Sequence, residues 1–216
     1  MLSPAALAGG YFLPGRGVRA MSRGGAYVVA VDDSTAHWYN PAQLAGQKGT
    51  RLHIDAALGI AKMRFMRYPV AEVEDPFLPV ENGAPPQPGA SAGISSDFDL
   101  EQVVVGFSFY TPYGNWGRYP EDGAQRYSTI RSENLGYFLQ ASAAWEPFAG
   151  LRLGAGVNFL TLMINDTHAV NSFPGLFGMP EDRDLDGLVQ LVAEDTLMPA
   201  GVVGLWVHPG AWIDFL

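Results

Sequence analysis

The stretch ENLGYFLQASAAWE, from Glu133 to Glu146, alternates between two kinds of side chain. Its odd positions carry the apolar series Leu135, Tyr137, Leu139, Ala141, Ala143 and Trp145, whereas its even positions are mostly polar or small. Successive side chains of a β-strand point to opposite faces of a sheet, so this stretch predicts a strand with one apolar and one polar face. Phe138 is an exception, since it is a large apolar residue on the polar face.

Similar alternation occurs along much of the chain. It predicts further strands at 51–61, 90–95, 102–110 and 151–159, and residues 197–207 are strand-like but apolar on both faces. The connections alternate between short ones (97–101, 147–150, 208–210) and long ones (69–89, 114–132, 166–195), which places long and short loops at opposite ends of the sheet. Short turns at one end and long loops at the other are typical of outer-membrane β-barrels. A soluble β-sandwich, in which the same apolar faces form a shared core, remains an alternative.

Composition excludes several other classes of protein. The 216 residues are 48% hydrophobic and 16% charged, and they contain no apolar run long enough for a transmembrane helix. The formal net charge of -9 argues against nucleic acid as a partner. Cysteine is absent, and neither a G-x-S-x-G nor an H-E-x-x-H motif is present, so the sequence contains no recognisable enzyme active site.

The first eight residues, MLSPAALA, contain an Ala-Leu-Ala tripeptide of the small-x-small form that signal peptidase cleaves. We therefore interpret residues 1–8 as the remnant of a signal peptide, with the mature chain starting near Gly9. An ordinary N-terminal segment is the alternative, because such tripeptides are common.

A short helical region is predicted ahead of the first strand, in DDSTAHWYNPAQLAG at 32–46. Asp32 or Asp33 can cap one helix, and Asn40 can cap a second helix in which Pro41 occupies the first position. Gly46 is expected to end this second helix in a left-handed conformation. About 15 residues are too few to form stable helices alone, so the region needs a surface to pack on.

This region carries a family resemblance. The segment GRGVRAMSRGGAYVVAVDDSTAHWYNPAQLAG, at 15–46, resembles the N-terminal plug of the outer-membrane long-chain fatty acid transporter family, the FadL and TodX type of hydrophobic-compound channel. The family's Asp-x-Ser/Thr turn and Asn-Pro-Ala motif are matched by Asp33, Ser34, Asn40, Pro41 and Ala42. GFSFYTPYGNWGRYP (106–120) and LRLGAGVNFLT (151–161) are similar to the family's third strand with its following loop and to its fifth strand.

The resemblance implies an all-β fold, an antiparallel transmembrane β-barrel with a small N-terminal helical plug. Family members are expected to have about fourteen strands, of which this chain would supply about six or seven. Residues 9–48 would form the plug and residues 49–216 the first half of the barrel. Because an open sheet leaves unpaired backbone groups in lipid, we expect this chain to be the N-terminal half of a longer protein.

The resemblance also implies a function: passive uptake of long-chain fatty acids or other hydrophobic small molecules across a Gram-negative outer membrane, without a cofactor. The lumen would be gated by the plug, and the ligand would leave sideways through the barrel wall. Its other contacts would be outer-membrane lipid and lipopolysaccharide, and the complete protein is expected to be monomeric. A plain porin or adhesin barrel is the nearest alternative, and a soluble β-sandwich binding module a more distant one.

Candidate residues follow for three sites. The lumenal pocket would be lined by the following apolar residues, whose alternative role is to pack the plug against the wall: Tyr11, Phe12, Leu13, Val18, Met21, Val28, Val29 and Phe138. Pro112 and Gly114 would make the irregular strand that forms the lateral gate, although Pro112 could instead simply end the strand. Asp182, Asp184 and Asp186 match the start of a calcium-binding loop, but its twelfth position is Ala193 rather than glutamate, so an acidic outer loop is the alternative.

Overall fold

The computed structural model describes residues 17–68, 78–172, 181 and 183–208. Its strands are β1 (Arg51–Gly59), β2 (Arg64–Phe65), β3 (Val80–Glu81), β4 (Gln87–Ser96), β5 (Val103–Arg118), β6 (Arg131–Phe148), β7 (Leu151–Val170) and β8 (Gly187–Val207). Six of them form one antiparallel sheet in the order β1-β4-β5-β6-β7-β8, and β2 pairs with β3 in a separate two-stranded ribbon. Among the described residues, β1 and β8 each have a partner on one side only, so the sheet is open.

Three short helical segments precede the sheet. They are α1 (Val18–Ser22), α2 (Ala36–Tyr39) and a 3-10 helix (Pro41–Gly46). The 3-10 helix lies against β5, β6, β7 and β8, and α2 lies against β5 and β6. The described helices are all shorter than a bilayer-spanning helix needs to be.

The polarity of the two faces of the sheet is the reverse of that in a soluble protein. The exposed face carries large apolar side chains, among them Leu52, Ile54, Ile94, Val105, Phe107, Trp145, Val157, Val203 and Leu205. The face against the helical segments buries polar side chains, among them Ser91, Ser95, Ser108, Gln140 and Ser142. A soluble sandwich would bury the apolar face, because each buried Leu or Phe side chain contributes about 1.5–3 kcal/mol. An apolar exterior around a polar interior is the arrangement of a membrane β-barrel wall.

The four later strands are longer than the sequence predicted. They run for 16, 18, 20 and 21 residues, whereas the alternation predicted shorter segments and placed residues 114–132 and 166–195 in loops. The two long connections between these strands are therefore shortened to 119–130 and 171–186, and β6 and β7 are joined by residues 149–150. A strand needs about 9–11 residues to cross a bilayer, so these strands extend beyond it, where no membrane requires one apolar and one polar face. The period-two signal is lost there although hydrogen-bonded pairing continues.

Gly46 also differs from expectation. It lies inside the 3-10 helix and does not adopt a positive φ, whereas Gly49, three residues later, has a φ of 73°. A Cβ atom at this position would lie 2.4 Å from a guanidinium nitrogen of Arg152, so a side chain here would displace the Arg152 side chain. Gly46 thus lies close to the Arg152 side chain of β7 and does not form a left-handed helix end.

Candidate functional site

The Asn-Pro turn joins the helical region to the far side of the sheet. Asn40 Oδ1 accepts a hydrogen bond from the backbone N–H of Ala42 at 3.1 Å and so caps the 3-10 helix. The Nδ2 of the same side chain donates to the carbonyl oxygen of Leu205 on β8 at 3.2 Å. Pro41 fills the first helical position, where the missing N–H is not needed. One side chain therefore both starts the helix and holds it to the wall.

Two glycines of the wall make room for this turn. A Cβ atom at Gly154 of β7 would lie 2.2 Å from the backbone nitrogen of Ala42, and one at Gly204 of β8 would lie 2.2 Å from Asn40 Oδ1. Both distances are far below a van der Waals contact, so any side chain at these positions would push the turn away from the sheet. Gly154 and Gly204 are directly paired across β7 and β8, and together they form a niche for the Asn-Pro-Ala motif.

The segment before α2 is fixed by short polar contacts. Asp33 Oδ1 accepts from the backbone N–H of Thr35 at 2.9 Å, and the Ser34 hydroxyl lies 3.5 Å from the hydroxyl of Ser95 on β4. The Tyr27 hydroxyl donates to Asp32 at 2.6 Å. Burial, reinforced by this hydrogen bond to Asp32, raises the pKa of Tyr27 to about 12, and the same bond lowers the pKa of Asp32.

The His37 side chain is buried between α2 and the wall. It is 1% exposed, and a Cβ atom at Gly106 of β5 would come within 2.7 Å of its ring. Neither ring nitrogen has a hydrogen-bond partner of normal geometry, and the hydroxyl of Ser108 is also unpartnered. Burial lowers the pKa of His37 to about 4, against a weaker opposing effect of the Ile94 backbone. His37 is therefore neutral at physiological pH.

A small cavity of about 20 Å³ adjoins this histidine. Its polar lining includes His37, His53, Ser91 and Ser108. A cavity needs about 10–15 Å³ and two to four polar partners to hold a water molecule, and this one meets both requirements.

Gln140 of β6 connects α2 to β5. Its Nε2 donates to the carbonyl oxygen of His37 at 2.6 Å and to the Ser142 hydroxyl at 2.8 Å, while its Oε1 accepts from the Tyr110 hydroxyl at 2.5 Å. The side chain is 1% exposed, so these bonds do not compete with bulk water. The position of α2 and that of β5 are thus linked through one amide.

Four aromatic rings lie next to this amide. Trp38 of α2 meets Tyr110 edge-on at 4.6 Å between ring centroids, and Phe138 of β6 stacks on Tyr110 at 5.3 Å. Phe138 also contacts Trp38 at 6.1 Å and Tyr113 of β5 at 5.9 Å. Of the two contacts that the sequence suggested for Phe138, the one with the helical region is present. We call Trp38, Tyr110, Tyr113 and Phe138 the aromatic cluster.

The wall is irregular beside the aromatic cluster. Tyr110 pairs with Phe138 and Tyr113 pairs with Gly136, so β5 contains one extra residue within this interval. Pro112 lies inside this bulge, where its missing N–H interrupts no regular ladder. The alternative that Pro112 merely ends the strand is wrong, because β5 continues to Arg118. The irregularity predicted at 111–114 is an internal bulge.

The other predicted pocket residues are less closely packed. Val18, Met21, Val28 and Val29 are 75%, 65%, 48% and 69% exposed, so they do not pack the helical region tightly against the described wall. Met21 lines a cavity of about 450 Å³ together with Gly114. Tyr11, Phe12 and Leu13 lie outside the described residues, and ligand binding by this set stays a prediction.

The acidic loop is held by protein contacts at its last aspartate. The side chain of Asp186 is fully buried, lies 3.4 Å from the guanidinium of Arg126 and accepts from the Tyr127 hydroxyl at 2.8 Å. Burial and this bond to Asp186 raise the pKa of Tyr127. The parts of the chain that the structure describes contain no group of three potential metal ligands, and Asp182 lies outside them. Calcium binding by Asp184 and its neighbours is thus untested.

Sequence reasoning missed the residues that connect the helical region to the wall. In the sequence, His37 and Trp38 are only neighbours of the Asn40 cap, and Gln140 is one of several polar residues on the inner face of its strand. The sequence does single out Gln140, because it is the only long polar side chain among the inner-face residues of 136–144. The pairing partners of such a residue depend on register, which the alternation does not specify.

Comparison with known proteins identifies the fold. No protein-family profile and no curated protein sequence matches the chain. The crystal structure of a FadL homologue from Pseudomonas aeruginosa does match, with a TM-score of 0.69 and 16% sequence identity over 93% of this chain. The match covers 50% of that protein, so the present chain spans about half of its length. The chain has the FadL-type β-barrel fold, in part, and the predicted fold class is confirmed.

Proposed function

We propose that this chain belongs to an outer-membrane channel for the passive uptake of long-chain fatty acids or other hydrophobic small molecules. Residues 9–48 act as its plug and the strands from residue 49 onward as part of its barrel wall. The bulge in β5 lies beside the aromatic cluster, and this is the observation that carries the proposal. A hydrophobic ligand held by the cluster would be directly next to the least regular part of the wall.

The first support for this route comes from the end of the β4–β5 ladder. Pairing stops at Ser91 and Tyr110, although β4 starts at Gln87 and β5 continues to Arg118. At the last step the Thr111 hydroxyl replaces a backbone partner, since it accepts from the Ala90 N–H at 3.0 Å and donates to the Ala90 carbonyl at 3.2 Å. Unpaired backbone groups are costly in lipid, so an interruption of this kind needs a functional reason.

A second support is the chemical contrast across the wall. The outer face is apolar and would contact lipid and the acyl chains of lipopolysaccharide, whereas the inner face buries many polar side chains beside the aromatic cluster. An apolar ligand would therefore find a favourable surface inside the barrel where Trp38, Tyr110 and Phe138 meet. From there it could leave sideways into the membrane without crossing the polar headgroups.

Movement of the plug would control this route. Trp38 supplies one ring of the cluster and belongs to α2, so displacement of α2 opens the site that the cluster fills in this structure. Asp33, Ser34, Asn40, Pro41 and Ala42 fix the segments on either side of α2 and determine how far it can move. No covalent chemistry or cofactor is required.

Uptake measurements test this function. Cells that express the complete protein in an outer membrane lacking other fatty acid channels should take up labelled oleate faster than cells without it. Uptake of a polar sugar of similar mass should not change, which separates this function from that of a plain porin. Equal oleate uptake with and without the protein would contradict the proposal.

A further inference from the structure

The opening in the wall between β4 and β5 has two hydrogen-bonded ends. One end is formed by the contacts between Thr111 and Ala90. At the other end Asn82, which follows β3, donates to the carbonyl oxygen of Trp116 at 3.2 Å and accepts from the Arg118 N–H at 2.9 Å. We call the intervening part of the wall, between 87–89 of β4 and 112–115 of β5, the wall window.

The side chain of Gln87 crosses the wall window. A Cβ atom built on Gly114 would lie only 1.5 Å from Gln87 Nε2 and 2.8 Å from its Cδ. The amide of Gln87 thus occupies the space that any side chain at position 114 would need. Gly114 is buried by this arrangement. Its backbone has no positive φ, so space rather than conformation explains the glycine.

A cavity lies at the wall window. It has a volume of about 450 Å³ and is lined by Gln87 and Gly114 together with the apolar residues Leu58, Ile60, Met63 and Trp116. Plug residue Met21 also reaches it. The window therefore connects the end of β1, the plug and the bulged strand, and Gln87 lies between them.

We infer that the side chain of Gln87 closes the lateral opening and that its amide packs directly against Gly114. This inference rests on the proposed function and adds the residue that controls release. A glutamine suits the position, because its amide is uncharged and needs no counter-ion in an apolar wall. Its unbranched stem can also change rotamer without moving the backbone. An alkyl chain leaving the lumen would displace the amide and occupy the same space.

Two substitutions should open the window by different means. Gln87→Ala removes the closing side chain, and Gly114→Ala places a methyl group where the amide now lies, which forces it out. Each variant of the complete protein should release a fluorescent fatty acid from outer-membrane vesicles at least twofold faster than the wild type. Because both changes remove the same closure, the double variant should be no faster than the faster single variant.

Matched controls separate closure from general disturbance. Gln190→Ala shortens an exposed glutamine of β8, and Gly201→Ala adds a methyl group where nothing lies within 4 Å. Both should keep the wild-type rate. Gln87→Met retains the length of the side chain without the amide and should also remain closed, because the inference depends on filled space.

The outcomes distinguish this inference from the proposed function. If the wild type shows no release above vesicles that lack the protein, the proposed function fails. A wild-type rate in Gln87→Ala, with an active wild type, overturns only the role of Gln87. Rate increases that multiply in the double variant would likewise contradict a shared closure, and so would a Gln87→Met variant as fast as Gln87→Ala.

Discussion

Gln140 Nε2 donates to the carbonyl oxygen of His37 at 2.6 Å across the interface between the plug and the barrel wall. The same amide accepts from the Tyr110 hydroxyl at 2.5 Å, so a residue of β6 fixes α2 and β5 together. The position of the plug and the geometry of the bulged strand β5 are therefore coupled. A change in one is expected to appear in the other.

Removal of this amide should loosen the plug. Gln140→Ala leaves the His37 carbonyl and the Tyr110 hydroxyl without their partner, and each unsatisfied buried group costs about 1–3 kcal/mol. Hydrogen–deuterium exchange of the amides of residues 34–47 should become faster, while exchange in β7 should change little. Gln190→Ala is the matched control, and equal protection in Gln140→Ala and wild type would contradict the role of the amide.

Plug docking should weaken in acid because of His37. Its pKa in the docked plug is about 4, below the ordinary value of 6.5, so the released plug binds a proton more readily than the docked plug. Docking is therefore unaffected above about pH 6.5 and loses stability as the pH falls from 6.5 to 4, by up to about 3 kcal/mol.

The groups around His37 do not offset this effect. Those facing it are Ser34 of the plug, Gly93 of β4, Gly106 and Ser108 of β5, and His53 of β1 across the small cavity, with no carboxylate among the residues that line that cavity. A spin label on the plug should become more mobile over this pH range in the wild type and in a His168→Gln control. A His37→Gln variant should show no such transition, and an identical transition there would assign the effect to another group.

The glycine niche gives a steric prediction. Gly154→Ala places a methyl group 2.2 Å from the Ala42 nitrogen, and both neighbouring segments are backbone that cannot move aside easily. We expect the Asn-Pro turn to leave the wall and the 3-10 helix to lose protection from exchange. Gly201→Ala, three positions before Gly204 on β8 and in open space, should leave the plug in place. A docked plug in Gly154→Ala would show that the niche is not required.

The acidic loop should depend on Arg126 rather than on calcium. Asp186 is buried against Arg126, and removal of one member of a buried ion pair costs about 3–5 kcal/mol. Arg126→Ala should therefore make residues 183–186 accessible to protease, and calcium should shift the melting temperature of the wild type by no more than magnesium does. A calcium-specific increase in melting temperature would instead support the site suggested by Asp182, Asp184 and Asp186.

The sequence predicted the wall better than the contacts of the plug. Alternation at residues such as Leu139 and Gln140 assigns faces correctly, because a strand has a fixed period and lipid and lumen demand opposite polarity. The strand ends were wrong, since β7 is apolar on both faces around 160–164 and largely polar at 165–168, while the ladder continues to Val170. Hydrogen-bonded pairing between strands does not require alternating hydrophobic residues.

Contacts between distant segments could not be predicted in the same way. Asn40 and Pro41 predict a capped turn from local sequence alone. The glycines that this turn packs against, Gly154 and Gly204, lie more than a hundred residues later and are two of many inner-face glycines. The bulge at Pro112 was expected from proline and glycine chemistry. That the side chain of Gln87 would lie on Gly114 depends on strand register, which the sequence pattern leaves open.

The central claim is that a hydrophobic ligand passes from the aromatic cluster to the wall window. Photocrosslinking with a fatty acid that carries a diazirine in its tail tests it most directly, in the complete protein in outer-membrane vesicles. Adducts are expected on Trp38, Tyr110 or Phe138 and on residues 111–115, and excess oleate should suppress all of them. Adducts confined to the lipid-facing residues of β8, such as Val203 and Leu205, and insensitive to oleate would contradict it.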